Sequence, residues 1–340
     1  MKVELITKVD LKKYDRSHMC DIYNKWPKIA KDAYSLEIEQ VDFKNINHLV
    51  FAGMGGSGAI GDMFASILSK TEIPVSVVKG FHLPSTINEK SLVITTSVSG
   101  NTLETVTVLK EAHKRKSKII SFSSGGKIEK YCIKNNIEYR KLEKIHSPRT
   151  SFVNYFYCIL KTLQPILPVK KNEIVESIKK MELLSKNISS NNLTNSNQAI
   201  NLAEWISLIP ITYYPYGLKA AAIRFKNSLQ ENSKSHAITE NIVEMCHNGI
   251  VSWEKQKNIQ PILIEGKNDY IKTKILQKII KEYFNDNNID FRVVSSPSGS
   301  IITKLVYLIY FLDYVSIYKS VINKVDPTPV KSIEYLKSKF

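Results

Sequence analysis

The chain has 340 residues, 43% hydrophobic and 24% charged, with four cysteines and a formal net charge of +16. That length can bury one large or two medium cores without disulfide staples, and the cysteines show no CxxC or Cys/His ligand spacing, so no metal site is expected. The charge raises nucleic acid, an anionic membrane or an anionic metabolite as partners, but 42 lysines scattered among Ile and Asn, without a basic stripe interleaved with aromatics, read as a solvated surface rather than a nucleic-acid footprint.

The N-terminal MKVELITKVDLKKYD has no secretory signature, and with reduced cysteines expected the chain reads as cytoplasmic. The first 45 residues, including DIYNKWPKIAKDAYSL, read as helix covering a sheet. From residue 48 short β-branched runs alternate with amphipathic ones: HLVFAG then a helix over 57–70, VSVVK, LVITTS then a helix over 102–115, KIISFS then a helix over 126–134. Such alternation predicts a doubly wound parallel sheet. A Lys-rich helix over 171–187 precedes the polar break SSNNLTNSN. The pattern then restarts with ITYYPY, LKAAAIRFKNSLQENSK, PILIEG, TKILQKIIKEYF, FRVVSS and TKLVYLIYFLDYV. Two α/β sandwiches in tandem follow, 1–188 and 189–340, the second ending in a C-terminal helix. The apolar stretch IITKLVYLIYFLDYV, interrupted by Lys304 and Asp313, reads as too short for a membrane span.

Two loops carry the chemistry. GMGGSGAIG packs five of the chain's 13 glycines into residues 53–61, between a strand and a helix. That arrangement points backbone N–H groups and a helix N-terminus at an anion. It also satisfies G-x-G-x-x-G, but the next strand ends in Lys79 where a dinucleotide site needs an acidic residue, and no Lys-Ser or Lys-Thr follows as a Walker loop would require. A tight turn with no ligand is the plain alternative. The second loop is SVSGNTLETV, with Ser97, Ser99, Asn101, Thr102 and Thr105 around Gly100 before a helix. Alone it could be an N-cap. Several neutral hydroxyls beside helix amides suit a phosphate monoester, so a small phosphorylated metabolite is the expected partner.

Together GMGGSG and SVSGNTLET resemble the sugar isomerase (SIS) domain, which implies two tandem SIS-type αβα sandwiches. PRTSF at 148–152, LQENSK at 229–234, EMCHNGI at 244–250 and the terminal DPTPVKSIEYLK extend the likeness to the archaeal-type bifunctional phosphoglucose/phosphomannose isomerases of the phosphoglucose isomerase superfamily. The resemblance implies interconversion of glucose 6-phosphate and mannose 6-phosphate with fructose 6-phosphate by ring opening and a cis-enediolate, with no cofactor and no metal. It assigns the phosphate to Gly56, Ser57, Ser97, Ser99 and Thr102, and the sugar pocket to Gly55 and Thr328. It assigns Glu231 as the base that moves the C1/C2 proton, Arg149 as the cation beside the enediolate, and His247 and Lys337 to ring opening. It further implies a homodimer in which His247 is donated by the neighbouring subunit.

Outside that resemblance each residue has an ordinary reading: Glu231 a helix-end carboxylate, Arg149 a surface arginine, His247 a structural histidine, Lys337 one lysine of 42. Gly249 stands where the family pattern has an acidic residue, so the loop after His247 should be supported differently. A non-catalytic SIS sugar-phosphate sensor would keep both loops but calls for a DNA-binding module, and the 47 residues before the first strand make a poor one. Another phosphosugar isomerase of the same fold would share the cradle and differ at C2. A nicotinamide dehydrogenase is the remaining reading of the glycines.

Overall fold

The computed structural model describes residues 6–255 and 258–339. They divide into two compact units, Lys25–Ile178 on one hand, and on the other the residues through Asn24 with those from Lys179 onward. The division falls at 178/179, inside a helix, where the sequence suggested 188/189, and residues 6–24 belong to the second unit.

In the 25–178 unit, α3 (Trp26–Ser35) leads to β1 (His48–Ala52), α4 (Gly55–Ile67), β2 (Val75–Val78), β3 (Ser91–Ser97) and α5 (Leu103–Lys114). Then come β4 (Lys118–Ser123), α6 (Gly126–Lys134), β5 (Glu138–Lys141), α7 (Phe152–Leu163) and the first part of α8 (Lys171–Ile188). The sheet is entirely parallel in the order β2-β1-β3-β4-β5, Leu49 pairing with both Val75 and Leu92. β3 is buried at every residue, which is why LVITTS reads as an unbroken apolar run, as strands covered on both faces do. One apolar cluster joins Val50, Val93, Val108, Leu109, Ile128 and Cys132. α7 is buried on nearly all sides, only Asn154 and Lys161 being partly exposed.

The second unit begins with α1 (Lys8–Tyr14) and α2 (Met19–Asn24), then takes up the rest of α8, α9 (Gln198–Trp205), β6 (Ile209–Tyr214) and α10 (Lys219–Ser228). β7 (Ile238–Asn241), α11 (Ile242–Met245), β8 (Ile259–Glu265), α12 (Ile271–Asp286), β9 (Arg292–Ser295), α13 (Ile301–Ile322) and α14 (Lys331–Lys339) complete it. Its four strands are again all parallel, ordered β7-β6-β8-β9. α13 is long and apolar enough to cross a membrane, longer than the sequence reading allowed, but 83% of its apolar window is buried inside the protein. It is a core helix, and its tyrosines hold the leading helices: the Tyr310 hydroxyl donates to the Tyr23 carbonyl at 2.8 Å, and that of Tyr314 to the Asn24 side chain at 2.6 Å. These bonds explain why residues through Asn24 belong with this unit.

Candidate active site

β1 ends at Ala52 and the chain turns directly into α4. Gly53 is forced by crowding: a Cβ there would stand 2.8 Å from the Thr96 carbonyl oxygen on the neighbouring strand. Met54, at the helix N-cap position, is extended and provides no capping side chain, so the first-turn amides around Gly55 and Gly56 face outward without the usual side-chain acceptor. β1 and β3 are neighbours whose connections run to opposite sides, which makes the crevice at their carboxyl ends the switch point where open α/β sheets bind ligands. Both sequence loops meet in that crevice.

Ser57, 6% exposed, lies in the first turn of α4, and its Oγ accepts a hydrogen bond from the Val98 amide at 3.3 Å. The Ser97 Oγ accepts from the Gly100 amide at 3.1 Å and lies 2.9 Å from the Thr102 hydroxyl. Thr102 stands at the N-cap of α5, yet its side chain makes no capping bond. The hydroxyl cluster is therefore organised as a cradle rather than spent on the helix end. Ser99 is exposed, its Oγ accepting from the Asn101 amide at 3.2 Å. The loop keeps its shape because Gly100 has φ +67° and no room for a Cβ, which would sit 1.7 Å from the Gly125 carbonyl oxygen.

Arg149 comes to the same place. A Cβ on Gly56 would meet the Pro148 carbonyl oxygen at 3.0 Å and the Arg149 Cα at 3.3 Å, so the absent side chain lets the Pro148–Thr150 turn close on the start of α4. The turn is pinned by the Thr150 hydroxyl donating to the Ile145 carbonyl at 2.6 Å and by the Trp26 indole donating to the Thr150 carbonyl at 3.1 Å. Arg149 is 5% exposed, which sets this guanidinium apart from a surface arginine. At the end of β2, Lys79 pairs with Asp62 of α4 at 2.5 Å, occupying the place where a dinucleotide fold needs a free acid.

Glu231, His247, Thr328 and Lys337 belong to the second unit. Glu231 is half-buried in a single π-helical turn, Leu229–Ser233, that follows α10. Such turns interrupt regular helix and recur at functional sites. The turn is anchored to α13: the Asn232 side chain donates to the Ser316 hydroxyl at 2.8 Å, and the Asn323 side chain to the Ser233 carbonyl at 3.2 Å. Beneath it lies a buried ion pair, Arg224 Nη2 to Asp313 Oδ2 at 2.7 Å, with Ser228 and Tyr23 donating to the same carboxylate at 2.6 and 3.1 Å. Burial works against the Arg224 charge, but Asp313, with smaller contributions from Tyr23 and Glu231, outweighs it in sum and holds the guanidinium above its ordinary value.

Thr328 is half-buried in the Asp326–Pro329 loop, its amide donating to Asp326 at 2.9 Å. Lys337 lies on α14, none of whose residues is buried, and His247 is exposed just past α11. Within their unit, neither is brought to Glu231 by a hydrogen bond. After His247, the acid expected at position 249 is supplied from another strand: a Cβ on Gly249 would stand 2.8 Å from Glu240 Oε2, so the β7 carboxylate fills that space. Burial, then the nearby Glu244 charge, raises the Glu240 pKa. Among the described residues no group of His, Cys, Asp and Glu is arranged to hold a metal ion.

Sequence reasoning missed Arg224–Asp313 and Glu240. The first had a signal, a lone Arg in AAAIRF and a lone Asp in LVYLIYFLDYV, opposite charges in apolar helices that must find each other. Glu240 had none, because its proximity to Gly249 depends on how β7 and the following turn fold back.

Comparison with known proteins accords with this geometry. The SIS domain model matches residues 42–153, and the model of the bacterial phospho-glucose isomerase C-terminal SIS domain matches residues 195–340. A bifunctional phosphoglucose/phosphomannose isomerase of Caldicellulosiruptor bescii is 32% identical over 311 residues, covering 88% of this chain and 91% of its own. Its counterpart in Aquifex aeolicus is 30% identical over 322 residues, covering 93% and 94%. Among solved structures, a putative tagatose-6-phosphate ketose/aldose isomerase from Clostridium novyi NT superposes with a TM-score of 0.70 at 14% identity, over 96% of this chain and 94% of that one.

Proposed function

Since the chain belongs to the bifunctional phosphoglucose/phosphomannose isomerase family, we propose that it interconverts glucose 6-phosphate and mannose 6-phosphate with fructose 6-phosphate. The observation that carries this reading is the hydroxyl and amide cradle at the β1/β3 switch point with the buried Arg149 closed onto it through Gly56. Neutral donors around a helix N-terminus hold the dianionic phosphate of a sugar ester, with Ser57, Ser97, Ser99, Thr102 and the Gly56 amide as its ligands and Gly55 leaving space for the sugar.

Ring opening needs one proton delivered to the ring oxygen and one removed from the C1 hydroxyl. His247 and Lys337 carry those transfers. Glu231 then takes the C2 proton of the open aldose and returns it to C1, while a proton passes from O2 to O1 across the cis-enediolate. Arg149 faces the charge that develops on those oxygens, an interaction stronger in the transition state than in the ground state. Both C2 epimers lose their stereocentre in the planar enediolate, so a pocket that lets the chain turn about C2–C3 serves both; Thr328 lines that space.

The working unit in this reading is a homodimer in which each subunit lends His247 to its neighbour. The exposure of His247, with apolar Val243 and Val251 exposed on either side, supports it. A small-molecule enzyme of the cytoplasm fits four cysteines that are all free among the described residues. The deciding experiment is incubation of chelator-treated protein with fructose 6-phosphate and separation of the products. Glucose and mannose 6-phosphates should both form; binding without turnover would instead mark a sensor.

A further inference from the structure

We propose that Lys234 is a positioning residue of this reaction, its ammonium coupling the turn that carries Glu231 to the loop and tail that carry Thr328 and Lys337. The Lys234 Nζ donates to the Glu231 carbonyl at 2.6 Å, to the Pro329 carbonyl at 2.8 Å and, more weakly, to the Pro327 carbonyl at 3.4 Å. An ammonium has three donors and no acceptor, and three carbonyls lie within its reach here. Two of those carbonyls flank Thr328 and the third belongs to Glu231 itself. A single side chain thereby sets the spacing between the base and the segment leading into α14.

The backbone gives a second indication. Lys234 closes the π turn in the left-handed region, φ +56° and ψ 32°, its amide donating to the Leu229 carbonyl. Glycine is the ordinary occupant of such a C-terminal position, and an L side chain there is strained. Lys116 and Lys324 also have positive φ, so the strain alone selects nothing. What distinguishes Lys234 is that its side chain is committed to the base's own carbonyl and to the tail. Arginine would not substitute well, because its planar fork cannot direct three bonds toward carbonyls converging on one point.

The inference rests on Glu231 being the base, and the test separates the two. Lys234→Met removes the ammonium and keeps the strained backbone; Lys234→Gly removes both. Each variant is measured for kcat and KM with fructose 6-phosphate, for thermal midpoint, and for amide hydrogen exchange over 326–339, with Glu231→Gln alongside. Lost positioning lowers kcat about 10- to 100-fold in both variants, leaves KM within a few-fold because the phosphate is held elsewhere, and speeds exchange across 326–339. The thermal midpoint should be higher for the Gly variant than for the Met variant, so a shared loss of kcat cannot be a stability effect. Near wild-type kcat in both variants, or unchanged exchange over 326–339, would overturn the proposal. Should Glu231→Gln stay active while both Lys234 variants lose turnover and protection, the base assignment fails and the coupling stands.

Discussion

Glu231 separates an enzyme from any protein that merely binds phosphosugars. Glu231→Gln preserves shape but cannot accept a proton, so kcat should fall by about 10²- to 10⁴-fold. Binding of 6-phosphogluconate, followed by calorimetry, should change far less, and exchange of the C2 hydrogen of glucose 6-phosphate with deuterated solvent should vanish with turnover. Retained exchange would assign the base elsewhere. The cradle makes the opposite prediction: Ser57→Ala, Ser99→Ala and Thr102→Ala should chiefly raise KM, since contacts remote from C1 and C2 bind ground and transition states alike. An unchanged KM in all three would put the phosphate elsewhere. Glu240 gives a pH signature. Its pKa is raised in the fold by burial and by Glu244, so the unfolded chain ionises first and stability is lost as pH climbs from the ordinary carboxylate value through the raised one. Glu240→Gln should therefore unfold at a higher temperature than wild type at pH 7, with the gap closing as the pH falls below the ordinary carboxylate value, where both states carry the neutral acid.

α10, its π turn and α13 form a single mechanical piece, because the polar groups along their contact leave no alternative register. Asp313 is fully buried and receives Arg224, Ser228 and Tyr23. Removing it takes away the carboxylate that Arg224 pairs with most closely in a buried setting, so Asp313→Ala should cost about 3–5 kcal/mol by urea unfolding. The double variant Arg224→Met with Asp313→Leu should recover much of that loss, because the uncompensated charge is gone. Equal stability of the single and double variants would show that shape rather than charge governs the contact. These elements also show where sequence patterns stop. LKAAAIRFKNSLQENSK reads as one helix, yet it ends at Ser228 and passes into a π turn because Asn232, Ser233 and Lys234 are held by α13 and the 327–329 loop. No local periodicity encodes a bond to a residue almost a hundred positions away.

For the assembled protein, the reading of His247 as a group donated across a twofold axis makes a quantitative prediction. Co-expressed Glu231→Gln and His247→Ala chains, each inactive alone, should together recover about a quarter of wild-type activity: half of the dimers are mixed, and each of those has one intact site. If His247 serves its own subunit, mixing restores nothing. The same preparation stripped with chelator should keep its turnover, each step being assigned to a side chain; loss of activity restored by a divalent cation would refute that assignment.

The parallel architecture was legible because the central strands are buried on both faces and spell continuous apolar runs, as HLVFA, LVITTS and PILIE do. The cradle was legible because a phosphate site built from consecutive amides and hydroxyls is local, and its glycines and serines must stand close together in the chain. Two of the four edge strands were not, although VSVVK and FRVVSS at the other two edges were. EYRK and ITEN, which became β5 and β7, carry mostly polar side chains, and only pairing with a formed neighbour makes them strands. Nor could the chain order show that Gly56 receives the Pro148–Arg149 turn, that Glu240 fills the space at Gly249, or that Lys234 gathers the carbonyls of Glu231, Pro327 and Pro329. Each of these joins groups that are brought together only when separate elements pack. Local chemistry is written in neighbouring residues, whereas distances between loops are set by the core that supports them.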